Sequence, residues 1–418
     1  MTRQDCLDLD AADVLAPLRE QFALPAGVVY LDGNSLGPLP VAAAARVARV
    51  VEREWGEGLI RSWNDAGWIE LGQRIGDKIA RLVGAGPGET IVADSTSANL
   101  FKALCAALDL ARGRNVVLTD EDNFPTDLYI AQSIADQRGL ELRRVPASQI
   151  AARVDDSVAV VLLTQVNYRS GRLLAMAPLN RAAHAAGAVT LWDLSHSAGV
   201  VPIDLAADDA DFAVGCGYKY LNGGPGAPAY LWAHPRHLAR MDAEAMRQPL
   251  SGWLGHASPF DFSPDYRPAP GVARFLCGTP PVLSLAALEC GIDTVLAAEP
   301  HGGVAALRRK SIALTDLFMT LVETRCEGQG LALATPRNPA ERGSQVSFAC
   351  EHDAYAVMQA LIERGVIGDF RAPDLVRFGF SPLYTRFVDA WDAAEALRDV
   401  LARDAWRAPR HRRRSAVT

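Results

Sequence analysis

Only four of the 42 basic residues in this 418-residue chain are lysines, so chemistry that needs a primary amine has few places to occur. Lys78 lies in a polar amphipathic run and Lys310 ends the triplet RRK on a helix face; both read as solvated charges. Lys102 follows Ser95-Thr96-Ser97 on an expected helix and is open to two readings, exposed or near a site. Lys219 differs. It follows the apolar run DFAVGCG (211–217) and precedes glycines that let backbone approach closely. An amine placed there is partly desolvated, which lowers its pKa and suits a nucleophilic or imine-forming role. A surface lysine in a turn is the competing reading.

Asp193 closes the run AVTLWD, 26 residues before Lys219, with one βαβ-like crossover expected between them. A carboxylate at the end of an apolar strand is expected to be buried, and a buried charge needs a partner. A protonated pyridine nitrogen is one, since the pairing keeps the ring an electron sink; capping of the following SHSAG turn is the alternative. His196 comes three residues later, and Thr164 and Asn167 end VAVVLLTQVN. Thr164 is placed with the cofactor-binding set. In DSTSANLFKAL (94–104), Ser95, Thr96 and Ser97 stand at a helix start, where free N–H groups and the dipole bind phosphate. Plain capping accounts for only one of the three hydroxyls. Phe124, in NFPTD, either stacks on an aromatic cofactor or packs in the core. Arg377, in DLVRFGFSPLY, follows a strand-like run, and a guanidinium there can hold a carboxylate bidentately.

Ligands of open α/β sheets gather at the carboxyl ends of strands, so these residues require such a sheet. The sequence predicts strands at 90–94, 115–120, 158–166, 188–194, 211–217 and 227–233, alternating with helices such as 98–111 and 178–187. Several strands are apolar throughout, as in sheets buried on both faces. A Pro- and Gly-rich stretch (248–281) breaks the rhythm; helical patterns at 283–299 and 302–323, strand-like QVSFAC and LVRFGF, and a helix near 388–403 follow. The expected fold class is α/β, a mostly parallel sheet between helices, with a smaller α+β domain. The expected division is 60–285 for the large domain, and 1–59 with 286–418 for the small one.

The composition, 49% apolar and 22% charged, is that of an ordinary globular protein. A net charge of −7 argues against a nucleic-acid partner. The basic C-terminus, RAPRHRRRSAVT, reads as a frayed solvated tail. Seven cysteines without a CxxC pair favour reduced thiols over disulfides or a metal site. With no apolar run long enough for a bilayer and no signal-peptide pattern, a cytoplasmic protein is expected.

YLDGNSLGPLP (30–40), NFPTD (123–127), LWDLSHSAG (191–199), DFAVGCGYKYLNGGPG (211–226), SGWLGH (251–256) and RFGFSPLY (377–384) occur in an order that resembles the kynureninase family of fold-type-I pyridoxal-phosphate hydrolases. The likeness runs nearly end to end, and YKYLNGGPG with its upstream DLSH is its most specific part. It implies a Schiff base on Lys219, which then shuttles protons, with Asp193 at the pyridinium nitrogen and His196 beside it. It implies Phe124 stacked on the ring with Asp127 nearby, and Thr96, Ser97 and Tyr218 at the phosphate, Tyr218 also being a candidate proton donor. Trp253 and Thr279 are implied to reach the site from a second subunit, and Arg377 to bind the substrate α-carboxylate. Asn34, Ser35 and Trp63 fall in segments that resemble the substrate-side wall. The implied reaction is hydrolysis of L-kynurenine, or its 3-hydroxy derivative, to anthranilate (or its 3-hydroxy form) and L-alanine. The bulk of Trp63 favours the unsubstituted ring. The rival within the fold type, a cysteine desulfurase, usually has histidine before the lysine, where this chain has Tyr218. A nucleotide-binding enzyme is disfavoured because NGGPGAP fits neither a P-loop nor GxGxxG.

Overall fold

Apolar runs form the interior of the molecule. The computed structural model describes residues 1–414. Its main sheet has seven strands in the order 90–93, 229–233, 212–215, 189–193, 158–164, 116–120 and 141–145. Only 229–233 runs against the others. Val158–Thr164 is buried at all seven positions, as a strand covered on both faces must be. The large indoles inside find partners for their N–H groups: Trp192 donates to Asn180 Oδ1 at 2.8 Å and Trp232 to Glu89 Oε2 at 3.0 Å.

A second, antiparallel sheet orders the strands 369–371, 375–379, 345–350 and 331–333. Helices Gly303–Arg325, Ala354–Ile362 and Phe387–Ala402 supply much of its core, in which the Phe318 ring lies 4.9 Å from that of Phe378 and 5.1 Å from that of Phe380. The N-terminal helix Arg3–Ala11 joins this unit: Asp10 accepts from Phe387 N (2.6 Å) and Val388 N (3.0 Å), satisfying two orphan donors of the last long helix. The YLDGNSLGPLP segment then crosses to the main sheet. Gly37 N donates to Tyr218 O at 2.7 Å, and a Cβ at Gly37 would stand 2.6 Å from Lys219 O, so only glycine allows the contact.

Four expectations need correction. Lys310 is buried, its amine 2.7 Å from Asp13 Oδ2, because the helix face that carries it packs inward. The basic C-terminus is docked through Arg413: Trp406 and His411 are buried, and the Tyr355 hydroxyl donates to Arg413 O at 2.9 Å. Ser415–Thr418 of the expected tail lie outside the described residues. The connection between 189–193 and 212–215 is built of turns, not a helix. The strand 141–145 escaped the sequence reading because it is a half-exposed edge, ELRRV, without an apolar run. Among the described residues no helix is long and apolar enough to cross a membrane.

At the amino end of the 212–215 strand, Asp211 is buried and ringed by donors: His184 Nε2 at 2.7 Å, His237 Nε2 at 2.6 Å, Thr190 N at 2.7 Å and Arg236. Burial alone would raise its pKa, but the bonds from His184, His237 and Arg236 outweigh it and hold the carboxyl far below its usual 3.8. A depressed carboxyl stabilises the fold above its unfolded pKa and loses that contribution as pH falls. Asp211→Asn is expected to lower stability by about 3–5 kcal/mol at pH 7, as for one partner removed from a buried pair. Urea unfolding followed by circular dichroism checks this, and the gap to wild type should narrow below about pH 4.

Candidate active site

The carboxyl ends of the parallel strands open on a cavity of about 220 Å³. The 189–193 strand delivers Asp193, only 3% exposed, whose Oδ1 accepts from Ser195 N at 2.7 Å. The 212–215 strand leads into Tyr218 and Lys219. The Lys219 amine lies 2.8 Å from His196 Nε2, 5.7 Å from the Phe124 ring centre and 5.8 Å from that of Tyr218. Tyr220 holds the lysine loop from behind, its hydroxyl donating to Ser344 O at 3.0 Å. The surface-turn reading of Lys219 is thereby excluded, and so is a site role for Lys102. Lys102 is fully buried and spends its donors on Asp94 Oδ2 (2.8 Å) and Phe275 O (2.6 Å).

Burial, then the positive charges of Lys219 and Arg377, pushes the His196 pKa well below its usual value, so the imidazole is neutral. Burial likewise pushes the Tyr218 phenol up, which keeps its proton in place at neutral pH. Asp127 comes from the first turn of the helix Pro125–Arg138 and is buried; desolvation first and the Asp193 charge second raise its carboxyl well above the usual range. Thr164 Oγ1 lies 2.5 Å from Asn123 Oδ1 and 3.2 Å from Asp127 Oδ2.

At the other end of the cavity begins the helix Thr96–Leu110. Ser95 caps it, its Oγ accepting from Ala98 N at 3.3 Å, so capping uses one hydroxyl of the three. Thr96 and Ser97 both line the cavity, and Thr96 Oγ1 is buried with no partner among the described residues. An unpaired buried hydroxyl at a helix N-terminus suits the oxygens of a phosphate. Cavity, amine, buried acid, aromatic wall and phosphate end together fit pyridoxal phosphate.

Arg377 arrives from the second sheet and is 1% exposed. Its Nε donates to Asp369 Oδ1 at 2.7 Å and its Nη2 to Ser35 Oγ at 2.9 Å; Nη2 also meets Asp369 Oδ2 and Nη1 meets Tyr168 O. Asn34, with its amide oxygen turned to this group, accepts from Nε at 3.0 Å and Nη2 at 3.2 Å. Asn34, Ser35 and Arg377 are therefore one cluster. Trp63, Trp253 and Thr279 are not part of the Lys219 cavity in the single chain. Trp63 packs edge-on against Trp253 at 6.0 Å beside a separate open hollow, and Thr279 is exposed.

The sequence reading missed Tyr168, whose ring meets Phe124 edge-on at 5.2 Å, and the buried polar residues Gln345 and Asp369. The last two carried a signal: Gln345 opens the mostly apolar stretch QVSFAC, and Asp369 is the lone polar residue of VIGDF. A cysteine desulfurase would need a reactive cysteine near the site, and the late cysteines of this chain are poor candidates. Cys326 and Cys350 are buried, and burial pushes the Cys326 thiol up to about 12.

Comparison with known proteins supplies the family. Solved structures of a cystine C–S lyase, C-DES, bound to cysteine persulfide (TM-score 0.75, 17% identity, 90% of this chain and 98% of that one) and of a cysteine desulfurase from Thermococcus onnurineus (0.77, 18%, 92% and 98%) share the fold. At such identities the likeness establishes the fold alone. The family model for the kynureninase C-terminal domain matches residues 307–397. Curated kynureninases from Burkholderia pseudomallei and Pseudomonas fluorescens are 55% identical over 424 residues and 53% identical over 425, each covering 100% of both chains. With more than half its residues identical to theirs along its whole length, the chain belongs to the kynureninase family.

Proposed function

We propose that the protein hydrolyses L-kynurenine to anthranilate and L-alanine in tryptophan catabolism, with pyridoxal 5'-phosphate held in the Lys219 cavity. The observation that carries this reading is the Lys219 amine, 2.8 Å from a buried neutral imidazole, in the cavity that Asp193 also lines. Bound there through the Lys219 amine, pyridoxal phosphate would supply an electron sink for bond cleavage next to the amino acid's α-carbon. Thr96 and Ser97 would hold its phosphate, Phe124 would cover the ring, and Asp193 would pair with the ring nitrogen, with Asp127, Thr164 and His196 around it. Lys219 takes and returns protons at Nζ. Tyr218, which retains its phenolic proton, is the donor for the later steps.

Arg377 binds the substrate carboxylate. Asp369 grips one edge of its guanidinium and Ser35 and Asn34 flank it, which fixes the fork before substrate arrives. This role divides the chain into residues 60–285, which hold the cofactor, and 1–59 with 286–418, which bring Arg377. The second hydrophobic cluster, drawn almost wholly from residues 314–406, supports a separate core late in the chain, while Leu288 and Leu307 pack in the main-sheet core.

The working form is a homodimer. Ile60, Phe260 and Phe262 are 77%, 59% and 80% exposed and, with Trp63 and Trp253, line an open apolar hollow of about 630 Å³. Apolar surface gathered like this marks an interface. A second copy seated on it gives Trp253 and Thr279 a route to the neighbouring site and places Trp63 by the substrate ring. Seven unpaired cysteines suit the cytoplasm.

Incubation with L-kynurenine and pyridoxal phosphate is expected to yield fluorescent anthranilate, and Lys219→Ala should cut the rate by on the order of 10⁴. Release of sulfide from cysteine without anthranilate would refute the assignment. Arg377→Ala should raise KM about 10–100-fold, since bonds to charged groups contribute roughly 1.5–3 kcal/mol. Cofactor affinity, read from absorbance titration, should change far less; equal losses in both would remove Arg377 from the substrate site.

A further inference from the structure

We infer that Gln345 is a positioning residue for the proposed reaction, fixing His196 as the Nδ1–H tautomer so that its Nε2 lone pair faces the Lys219 amine. The inference rests on the reading of Lys219 given above, but the geometry behind it is independent of any ligand. Gln345 opens the strand 345–350 of the second sheet and is 1% exposed. Its amide nitrogen donates to Asn167 O at 3.2 Å and to Tyr168 O at 3.1 Å. Two carbonyls claim both N–H groups, so Oε1 must be the atom that faces His196 Nδ1, at 3.1 Å. A turned amide would set oxygen against two oxygens.

An acceptor facing Nδ1 requires a proton there, and a neutral imidazole then keeps its lone pair on Nε2. That lone pair meets Lys219 Nζ at 2.8 Å. The chain of donors therefore runs one way, from amine to imidazole to amide to backbone carbonyl. The opposite tautomer would point an N–H at the amine and leave the Gln345 oxygen, buried, without a partner. The charged groups acting on His196 are cationic: Lys219 from the main sheet, and Arg371 and Arg377 from the second. They keep the ring neutral, which leaves its tautomer as the variable that Gln345 sets. The Tyr168 carbonyl also accepts from Arg377 Nη1, so the carboxylate-binding arginine and this amide hold one loop between them.

The test uses the full chain labelled with ¹⁵N-histidine and freed of cofactor, with His196 assigned by comparison with His196→Gln. Wild type should show a pyrrole-type Nδ1 and a pyridine-type Nε2 between pH 6 and 9. Gln345→Met, close in volume but lacking the acceptor, should move both signals toward the other tautomer while the chain stays folded by circular dichroism. In the same variant kcat should fall about 10–100-fold, by analogy with the loss of partners that orient metal-binding histidines. A wild-type Nε2–H tautomer, or unchanged signals in Gln345→Met, would overturn the inference. If that variant does not fold, the wild-type spectrum decides alone. Failure of the protein to form the visible imine band with pyridoxal phosphate would sink the functional reading and leave the tautomer result standing.

Discussion

Lys219 and His196 meet at 2.8 Å because two separate sheets press on the same few atoms. The main sheet supplies the lysine, the histidine and Asp193 from neighbouring strand ends. The second sheet supplies Gln345, on the far side of the imidazole, and Arg377 with its buried partner Asp369. A free amine on a flexible stem is otherwise a solvated charge on the surface. Here it is held by burial, by Tyr220 anchored to Ser344 O, and by Gly37 lying against the backbone of its loop. The rest of the fold follows from keeping that amine in one place.

Holding it requires tolerance of buried charge. Asp127 and Asp193 stand together with raised affinity for a proton on Asp127, and Asp32 is similarly raised, to about 8, by burial and by Asp369. Groups in this condition persist where a ligand of complementary charge is to be bound. A pyridinium facing Asp193, as proposed above, would be such a ligand. The Asp211 cluster, at the amino end of the 212–215 strand, contrasts with both. Its carboxylate already has donors on every side, so it stabilises the fold and has nothing left to offer a ligand.

The lysine and its acid were legible in the sequence because each sits at the end of an apolar run, and such runs become strands with both faces covered. The hydroxyls Thr96 and Ser97 were legible because capping a helix needs one hydroxyl and three were present. What escaped detection is what the third dimension supplies. Nothing in the order of residues places Gln345 within 3.1 Å of a histidine 149 positions away, or Asp369 against Arg377 across two antiparallel strands. Lys310 was misjudged because the sequence has no mark for the acid, Asp13, that meets it. The edge strand 141–145, half in water, lacks the periodicity that apolar contact imposes.

The direct test of this account is chemical. Protein loaded with pyridoxal phosphate is reduced with borohydride, digested, and its modified peptide sequenced by mass spectrometry. The account predicts a single pyridoxyl-lysine, at Lys219, in the peptide that carries YKYLNGGPG. An adduct on Lys102, or retention of the adduct in Lys219→Ala, would contradict it.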